Sequence, residues 1–356
     1  MPSRGGAYRR LGDGRTRPGR RILKYLYIKR VVPIRPVMEV FRPIPVDVLL
    51  VGEPCVVDLF MKLDDTLVPF LSKGGVLTGD HLRDLERLRV RRMFIKGSQA
   101  EAFEEYVQRN ADKILTDPTV PSRVKAATFY ISSMGALKKA FVKPDAPSLN
   151  RIKKEIVPLL KGIMKNEIVL GDLLAITQHD FNTYTHSVNV GIYATAIAVR
   201  FYRHDPSYGM NELERLSYGF FLHDIGKSRV PLSILRKRGP LSDEERSIMK
   251  KHPEWGYAIL METGNLTDEA AYIAMQHHER PDGTGYPLGT KDIHPCARIC
   301  ALADIFDALT SKRPYKDPMS PFAALKLLKA ETFTVFDHEL LTTFIQILGP
   351  DEDVTH

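Results

Sequence analysis

Residues 277–287 read His-His-Glu-Arg-Pro-Asp-Gly-Thr-Gly-Tyr-Pro, and upstream His223 and Asp224 stand inside His-Asp-Ile-Gly-Lys. Adjacent imidazoles at the end of an apolar helix desolvate two polar rings, which a fold rarely tolerates without a metal or a dense hydrogen-bond network. Together the two segments point to a buried hydrolase-type site that holds more than one metal.

Three further stretches present His or Asp on apolar faces. Leu213, Leu216 and Phe220 recur at the spacing of one helical face that His223 continues, with Asn211 as the expected cap and Gly226 as the expected stop. Thr183 to Tyr202 is predicted to be a helix with His186, Val190, Tyr193 and Ile197 on one stripe. A lone His there reads equally as a hydrogen-bonded core residue. The same alternative holds for His252, which follows a helix opened by the Ser242–Glu245 capping box and precedes Pro253, the expected helix end. Ala297 to Ser311 is predicted to be a helix carrying Asp304, Asp307 and Ser311 along one stripe, either around a metal or as a solvated face. The desolvation costs of all five stretches are relieved jointly if they converge on metal.

With these residues in place, the chain resembles the HD-GYP subgroup of the HD superfamily, metal-dependent phosphodiesterases that act on cyclic di-GMP. The likeness runs over about residues 170–348. It rests on Thr-His-Ser-Val-Asn-Val at 185–190, His-Asp-Ile-Gly-Lys at 223–227, Lys-His-Pro-Glu at 251–254, the His-His to Gly-Tyr-Pro run, and Asp-Ile-Phe-Asp-Ala-Leu-Thr-Ser-Lys-Arg-Pro-Tyr-Lys at 304–316.

The resemblance implies that His186, His223, Asp224 and Asp304 hold one metal, and that His252, His277 and His278 hold a second, with Asp224 bridging. It further implies that Lys227 faces a phosphate oxygen, that Arg313 and Lys316 grip the dinucleotide, and that Tyr286 lines the pocket. Glu279, Asp282 and Asp307 would stand behind the ligands and orient the imidazoles and the loop. Some members carry a Glu four residues before the first His, where it adds a third metal. That position is Asn182 here, and Asp180 is turned away from the ligand face, so two metals are expected. Thr284 replaces a common Ser and keeps the hydroxyl.

Such a set suits phosphodiester hydrolysis, which needs a nucleophile at neutral pH and neutralised charge on the phosphoryl oxygens. Imidazoles with a bridging carboxylate suit iron or manganese, and accept zinc. Cys55, Cys296 and Cys300 offer no thiolate cluster, and Cys300 reads as a structural thiol.

At 356 residues the chain has room for two domains. Residues 1–35 contain eleven Lys or Arg and one acidic residue, a net of +10, which leaves −2 for the rest of a chain of +8. The basic character therefore belongs to a tail (1–37) that reads as disordered, and not to a nucleic-acid surface. Met38 is an alternative start. Val46 to Leu50, Cys55 to Leu63, Leu67 to Leu71 and Arg92 to Lys96 are strand-like, Thr78 to Leu88 and Gln99 to Ile114 helical. The expected order is thus a small α+β accessory domain (38–117) open to sensing, homodimer formation or docking, a helical linker (118–169) broken at Pro144 to Pro147, and an all-α HD-type bundle (170–348). Few cysteines, no span of about twenty apolar residues and no signal-peptide core make a cytoplasmic location the expectation.

By the resemblance, cyclic di-GMP is opened to linear pGpG, and onward to GMP. The alternatives are another cyclic dinucleotide, an inactive domain that binds the nucleotide or a GGDEF-type cyclase or adaptor partner, and an HD phosphohydrolase acting on nucleoside triphosphates.

Overall fold

The computed structural model describes residues 39–164, 170–177, 183–237, 239–264, 267–312, 317–335 and 338–349. It divides the chain into two compact units: one runs to Ile44 and resumes over Val51–Ala100, the other takes Pro45–Leu50 and everything from Glu101. The chain is α+β: the described residues hold one small sheet with helices after it.

The first unit holds strands β1 (Phe41–Pro45), β2 (Leu59–Leu63), β3 (Thr66–Leu71) and β4 (Arg92–Lys96) in the order β1-β4-β2-β3, with helix α1 (Gly79–Arg87) between β3 and β4. β2 and β3 form an antiparallel hairpin in which Leu63 faces Thr66. Asp64 turns the chain there at φ 51°, a conformation that a short polar side chain tolerates. Alternation buries Leu59 and Met61 of β2 with Met93 and Ile95 of β4, and Leu85 of α1 joins the core. Thr78 caps α1 through the His81 amide while the His81 ring accepts the Thr78 amide, so two of the donors at the helix start are satisfied reciprocally.

The strand expected at Val46 to Leu50 is instead a 3-10 turn, Val46–Val48. Pro43 and Pro45 remove ladder donors, so pairing stops at Pro45. The segment packs with the helical unit: Asp47 pairs with Arg123 at 3.3 Å, and the Leu50 amide donates to the Tyr106 hydroxyl at 3.1 Å.

The second unit contains α2 (Ala100–Thr116), α3 (Ser122–Val142), α4 (Ala146–Met164), α5 (Leu170–Ile176), α6 (Thr183–Phe201), α7 (Met210–Leu222), α8 (Leu232–Leu235), α9 (Asp243–Met249), α10 (His252–Thr263), α11 (Asp268–Gln276), α12 (Pro295–Thr310), α13 (Pro321–Val335) and α14 (His338–Leu348). α6 is buried on all sides from Thr185 to Ala198, as a helix apolar all round must be. It separates two cores. Val188 and Ile192 pack with Phe129, Ile156 and Phe221, while Val190, Tyr193 and Ile197 pack with Ile299, Phe306 and Phe344. Edge-to-face contacts of Phe306 with Tyr193 (5.2 Å) and Phe344 (4.8 Å) lock α12 and α14 onto α6. Each such buried ring contributes roughly 1.5–3 kcal/mol.

Three expected boundaries move. α7 begins at Met210 behind Gly209, so Asn211 lies inside the helix and is not its cap. It ends at Leu222, and Gly226 falls within a 3-10 turn, Ile225–Arg229. A Cβ on Gly226 would sit 1.9 Å from the His252 carbonyl oxygen, so the glycine serves close approach of two backbones. His252 opens α10 and Pro253 occupies its first turn, where a missing N–H costs nothing; Gly264, at φ 62°, ends that helix.

Candidate metal centre

His223, His252 and His277 stand where a helix runs out, because there their rings find spare carbonyls; His186 and Asp304 lie within α6 and α12. The last carbonyls of a helix lack intrahelical donors. His223 Nδ1 donates to Phe220 O (2.9 Å), His277 Nδ1 to Ala274 O (2.9 Å), and His252 Nδ1 to Met249 O (2.8 Å). A carbonyl only accepts, so each of these rings in its neutral form carries its proton on Nδ1 and turns the Nε2 lone pair inward. His186 does the same through a carboxylate: its Nδ1 donates to Asp307 Oδ2 at 2.7 Å.

Those lone pairs converge. His252 and His277 bring their Nε2 atoms to 3.2 Å of each other, and Asp224 Oδ1 lies 3.2 Å from His252 Nε2 and 3.8 Å from His277 Nε2. On the other side, Asp224 Oδ2 lies 3.5 Å from His223 Nε2 and 3.6 Å from His186 Nε2. Asp304 Oδ1 is 3.1 Å from His186 Nε2, and its Oδ2 is 3.8 Å from His278 Nδ1. Asp224 is thus common to two groups whose ligand atoms all fall within 4.8 Å: Asp224, His252, His277 and His278, and Asp224, His186 and His223.

Facing lone pairs repel unless a cation lies between them. His223 Nε2 and Asp224 Oδ1 are buried with no hydrogen-bond partner, a costly state that a metal would relieve. The donor chemistry and the orphaned atoms fit divalent metal. The electrostatics agree. His277 is held well below the usual imidazole range by burial and the neighbouring rings, and His278 is pushed down to about 3 by burial, so both are neutral and able to coordinate. Burial favours the neutral form of Asp224, but Lys227, His223 and His252 outweigh it and hold the carboxylate ionised. Asp304 is likewise buried yet kept ionised by His186, His278 and His223. Burial works against charge on His186, yet Asp304 and Asp307 raise it to about 9; a divalent cation offers those carboxylates the same compensation.

Beside the ligands lies a cavity of about 570 Å³ lined by His278, Tyr286 and Asp304 and by the cationic side chains of Lys250, Arg280 and Arg298. The Tyr286 ring stacks on His278 with centroids 4.7 Å apart, and Lys250 Nζ stands 5.1 Å from the Tyr286 ring. Glu279 holds the loop: its two oxygens accept the amides of Leu288 (2.6 Å) and Thr290 (3.2 Å). Asp282 accepts the Thr284 amide and hydroxyl at 2.8 and 2.7 Å, an exposed turn that shapes the loop tip. Gly285 is required because a Cβ would meet Glu279 Cα and Arg280 N at 2.4 Å. Lys227 Nζ donates to Asp224 Oδ2.

The structure therefore brings His186, His223, Asp224, His252, His277, His278 and Asp304 together, with Lys227, Asp307, Glu279 and Tyr286 around them. Arg313, Lys316, Asn182 and Asp180 lie outside the described residues. Sequence reasoning missed the cavity cations Lys250, Arg280 and Arg298, and also Asn189, whose Nδ2 donates to Asp307 Oδ1 at 2.7 Å. Asn189 stands one turn after His186, so helical spacing could have found it.

Residues 169–340 match the family model described as HD domain. A cyclic di-GMP phosphodiesterase of Pseudomonas aeruginosa is 31% identical over 300 residues, covering 79% of this chain and 71% of that protein. The chain belongs to the HD domain family. The Gly-Tyr-Pro run behind its paired histidines places it in the HD-GYP branch, and its activity class is phosphohydrolase. A 3'3'-cGAMP-specific phosphodiesterase of Vibrio cholerae is 36% identical over 183 residues, 51% of this chain and 34% of that one. The solved structure of an HDGYP protein from Bdellovibrio bacteriovorus has a TM-score of 0.61 at 23% identity, covering 87% of this chain and 99% of that one, and shares the fold. Among the described residues no helix is long and apolar enough to cross a membrane.

Proposed function

We propose that this enzyme hydrolyses a cyclic dinucleotide, with cyclic di-GMP as the substrate, to linear pGpG and onward to GMP, at a dinuclear metal centre. The observation that carries this is the position of Asp224, whose two oxygens each face a different set of imidazole lone pairs beside a cation-lined cavity.

His186, His223, Asp224 and Asp304 would hold one divalent ion, and Asp224, His252, His277 and His278 the other, iron or manganese best matching the donors. When bound, such a pair supplies Lewis acidity and an acidified water. The chain's own groups do the rest. Lys250, Arg280 and Arg298 attract and orient the anionic ring in the cavity, and Tyr286 offers an aromatic face on which a purine can stack. By the family resemblance, Arg313 and Lys316 are further candidates for gripping the dinucleotide. Water attacks phosphorus and leaves its oxygen on the phosphate, the bond to the 3' oxygen breaks, and that oxygen takes the proton the water gives up. Lys227 stabilises the negative charge that grows as this happens.

The specificity of the Vibrio relative for 3'3'-cGAMP keeps a second substrate in view. Turnover of cyclic di-GMP and 3'3'-cGAMP by anaerobically purified protein of known metal content distinguishes the two. Hydrolysis of neither by protein holding two metals per chain overturns the proposal.

A further inference from the structure

One buried chain of hydrogen bonds leads away from the metal ligands and ends on a helix that precedes the region matched to the family. His186 Nδ1 donates to Asp307 Oδ2 at 2.7 Å, Asn189 Nδ2 donates to Asp307 Oδ1 at 2.7 Å, and the Tyr130 hydroxyl donates to Asn189 Oδ1 at 3.0 Å. Asn189 and Asp307 are fully buried and Tyr130 is 3% exposed. Tyr130 belongs to α3, whereas the family match begins at residue 169.

The direction of these bonds matters more than their number. An asparagine amide has an accepting end and a donating end of nearly identical shape, and only its partners decide which way it points. Both Asp307 oxygens act as acceptors here, Oδ2 from His186 and Oδ1 from Asn189 and the Ser311 hydroxyl. Those accepting oxygens turn the NH₂ of Asn189 toward Asp307 and its oxygen toward Tyr130, whose hydroxyl donates to that oxygen and pins the amide in place. Without that hydroxyl the amide oxygen loses the 3.0 Å bond that pins it, and the amide can swing away from Asp307. Asp307 would then yield its hold on His186, and the Nε2 lone pair would lose its aim.

α3 is fastened to the ligand-bearing helices at two further points. The Phe129 ring meets Phe221 edge-on at 5.9 Å, two residues before His223, and Phe141 meets Tyr184 at 5.5 Å, two residues before His186. The Tyr130 hydroxyl is thus held in a fixed place relative to both.

We propose that Tyr130 is a positioning residue of the metal centre: through Asn189 and Asp307 it sets the orientation of His186, which makes α3 a working part of the catalytic unit. This rests on the metal-centre reading above. Loss of an orienting group behind a metal ligand weakens metal binding by roughly 10–100-fold, and the lower end applies to a residue acting through two others.

The test is manganese binding to the full chain, read by electron paramagnetic resonance and equilibrium competition with a chelator, with thermal unfolding of the metal-free protein alongside. Tyr130→Phe is expected to weaken one of the two manganese ions about tenfold, leave the other unchanged, and keep the metal-free melting temperature close to that of the parent. Turnover at limiting manganese should fall, return with added manganese, and show no change in KM. Asn189→Ala should weaken the same ion, and adding Tyr130→Phe to Asn189→Ala should cost nothing more. Parent protein that binds no manganese would refute the metal centre itself. Parent protein that binds two ions, with Tyr130→Phe matching it or losing both equally, would refute the role of Tyr130 alone, as would a Tyr130→Phe effect of equal size with and without Asn189.

Discussion

Asp224→Asn isolates the property on which the metal centre depends. The amide keeps the shape of the carboxylate and removes its charge, and Asp224 is the one residue present in both ligand groups. A ligand that binds only the folded state at a thousand times its dissociation constant stabilises by about 4 kcal/mol. Two such ions add about 8 kcal/mol, and each kcal/mol moves the melting temperature by roughly 2–4 °C in a domain of 150–250 residues. The parent protein should therefore melt at least about 16 °C higher with saturating manganese than after chelation. Asp224→Asn should abolish nearly all of that difference together with turnover. His223→Ala, which touches one group only, should keep about half. Differential scanning fluorimetry at fixed manganese, with metal content by mass spectrometry, reads all three proteins. A full metal-dependent rise in Asp224→Asn would refute the bridging role, and equal loss in His223→Ala would refute the division into two groups.

Other expectations follow from the same geometry. After chelation, stability should peak near pH 6.5. His278, at about 3 in the fold, and the depressed His277 and His223 leave the unfolded state binding more protons below about 6.5, so stability falls toward acid; His186, at about 9, leaves the folded state binding more protons above that pH, so stability falls toward alkali. A melting temperature flat between pH 4 and 9 would contradict this. Gly226→Ala should destabilise by more than about 3 kcal/mol in urea titration, since its Cβ would lie 1.9 Å from the His252 carbonyl oxygen; a change under 1 kcal/mol would show that the two turns are not in contact. Glu279→Gln replaces an acceptor of two loop amides with a group that turns a donor toward one of them. It should raise KM several-fold while both metals stay bound, and a loss of metal would instead tie Glu279 to the ligands.

Much of the centre was legible in the chain because buried histidines and carboxylates carry a desolvation cost wherever they stand in sequence. His277 and His278 beside each other, His223 beside Asp224, and Asp304 and Asp307 one turn apart all declare themselves by that cost. Helical periodicity likewise revealed α6, α12 and the capping box of Ser242 and Glu245. Boundaries were less legible. Val46 to Leu50 has the apolar content of a strand, but prolines before it end the pairing, and Gly226 has the look of a helix stop although its real constraint is a carbonyl from another element.

Local chemistry by itself therefore determined the residue types of the site, the helices that bear them and the α+β division of the chain, because periodicity, capping and the cost of burying charge are properties of short segments. Only the tertiary structure decided that Asp224 faces two sets of rings, that Lys250, Arg280 and Arg298 share a cavity with Tyr286, and that Tyr130 stands behind His186. Those relations depend on how helices distant in sequence cross, and they are set by the packing of side chains such as Phe129, Phe221 and Phe306 that carry no chemistry of their own.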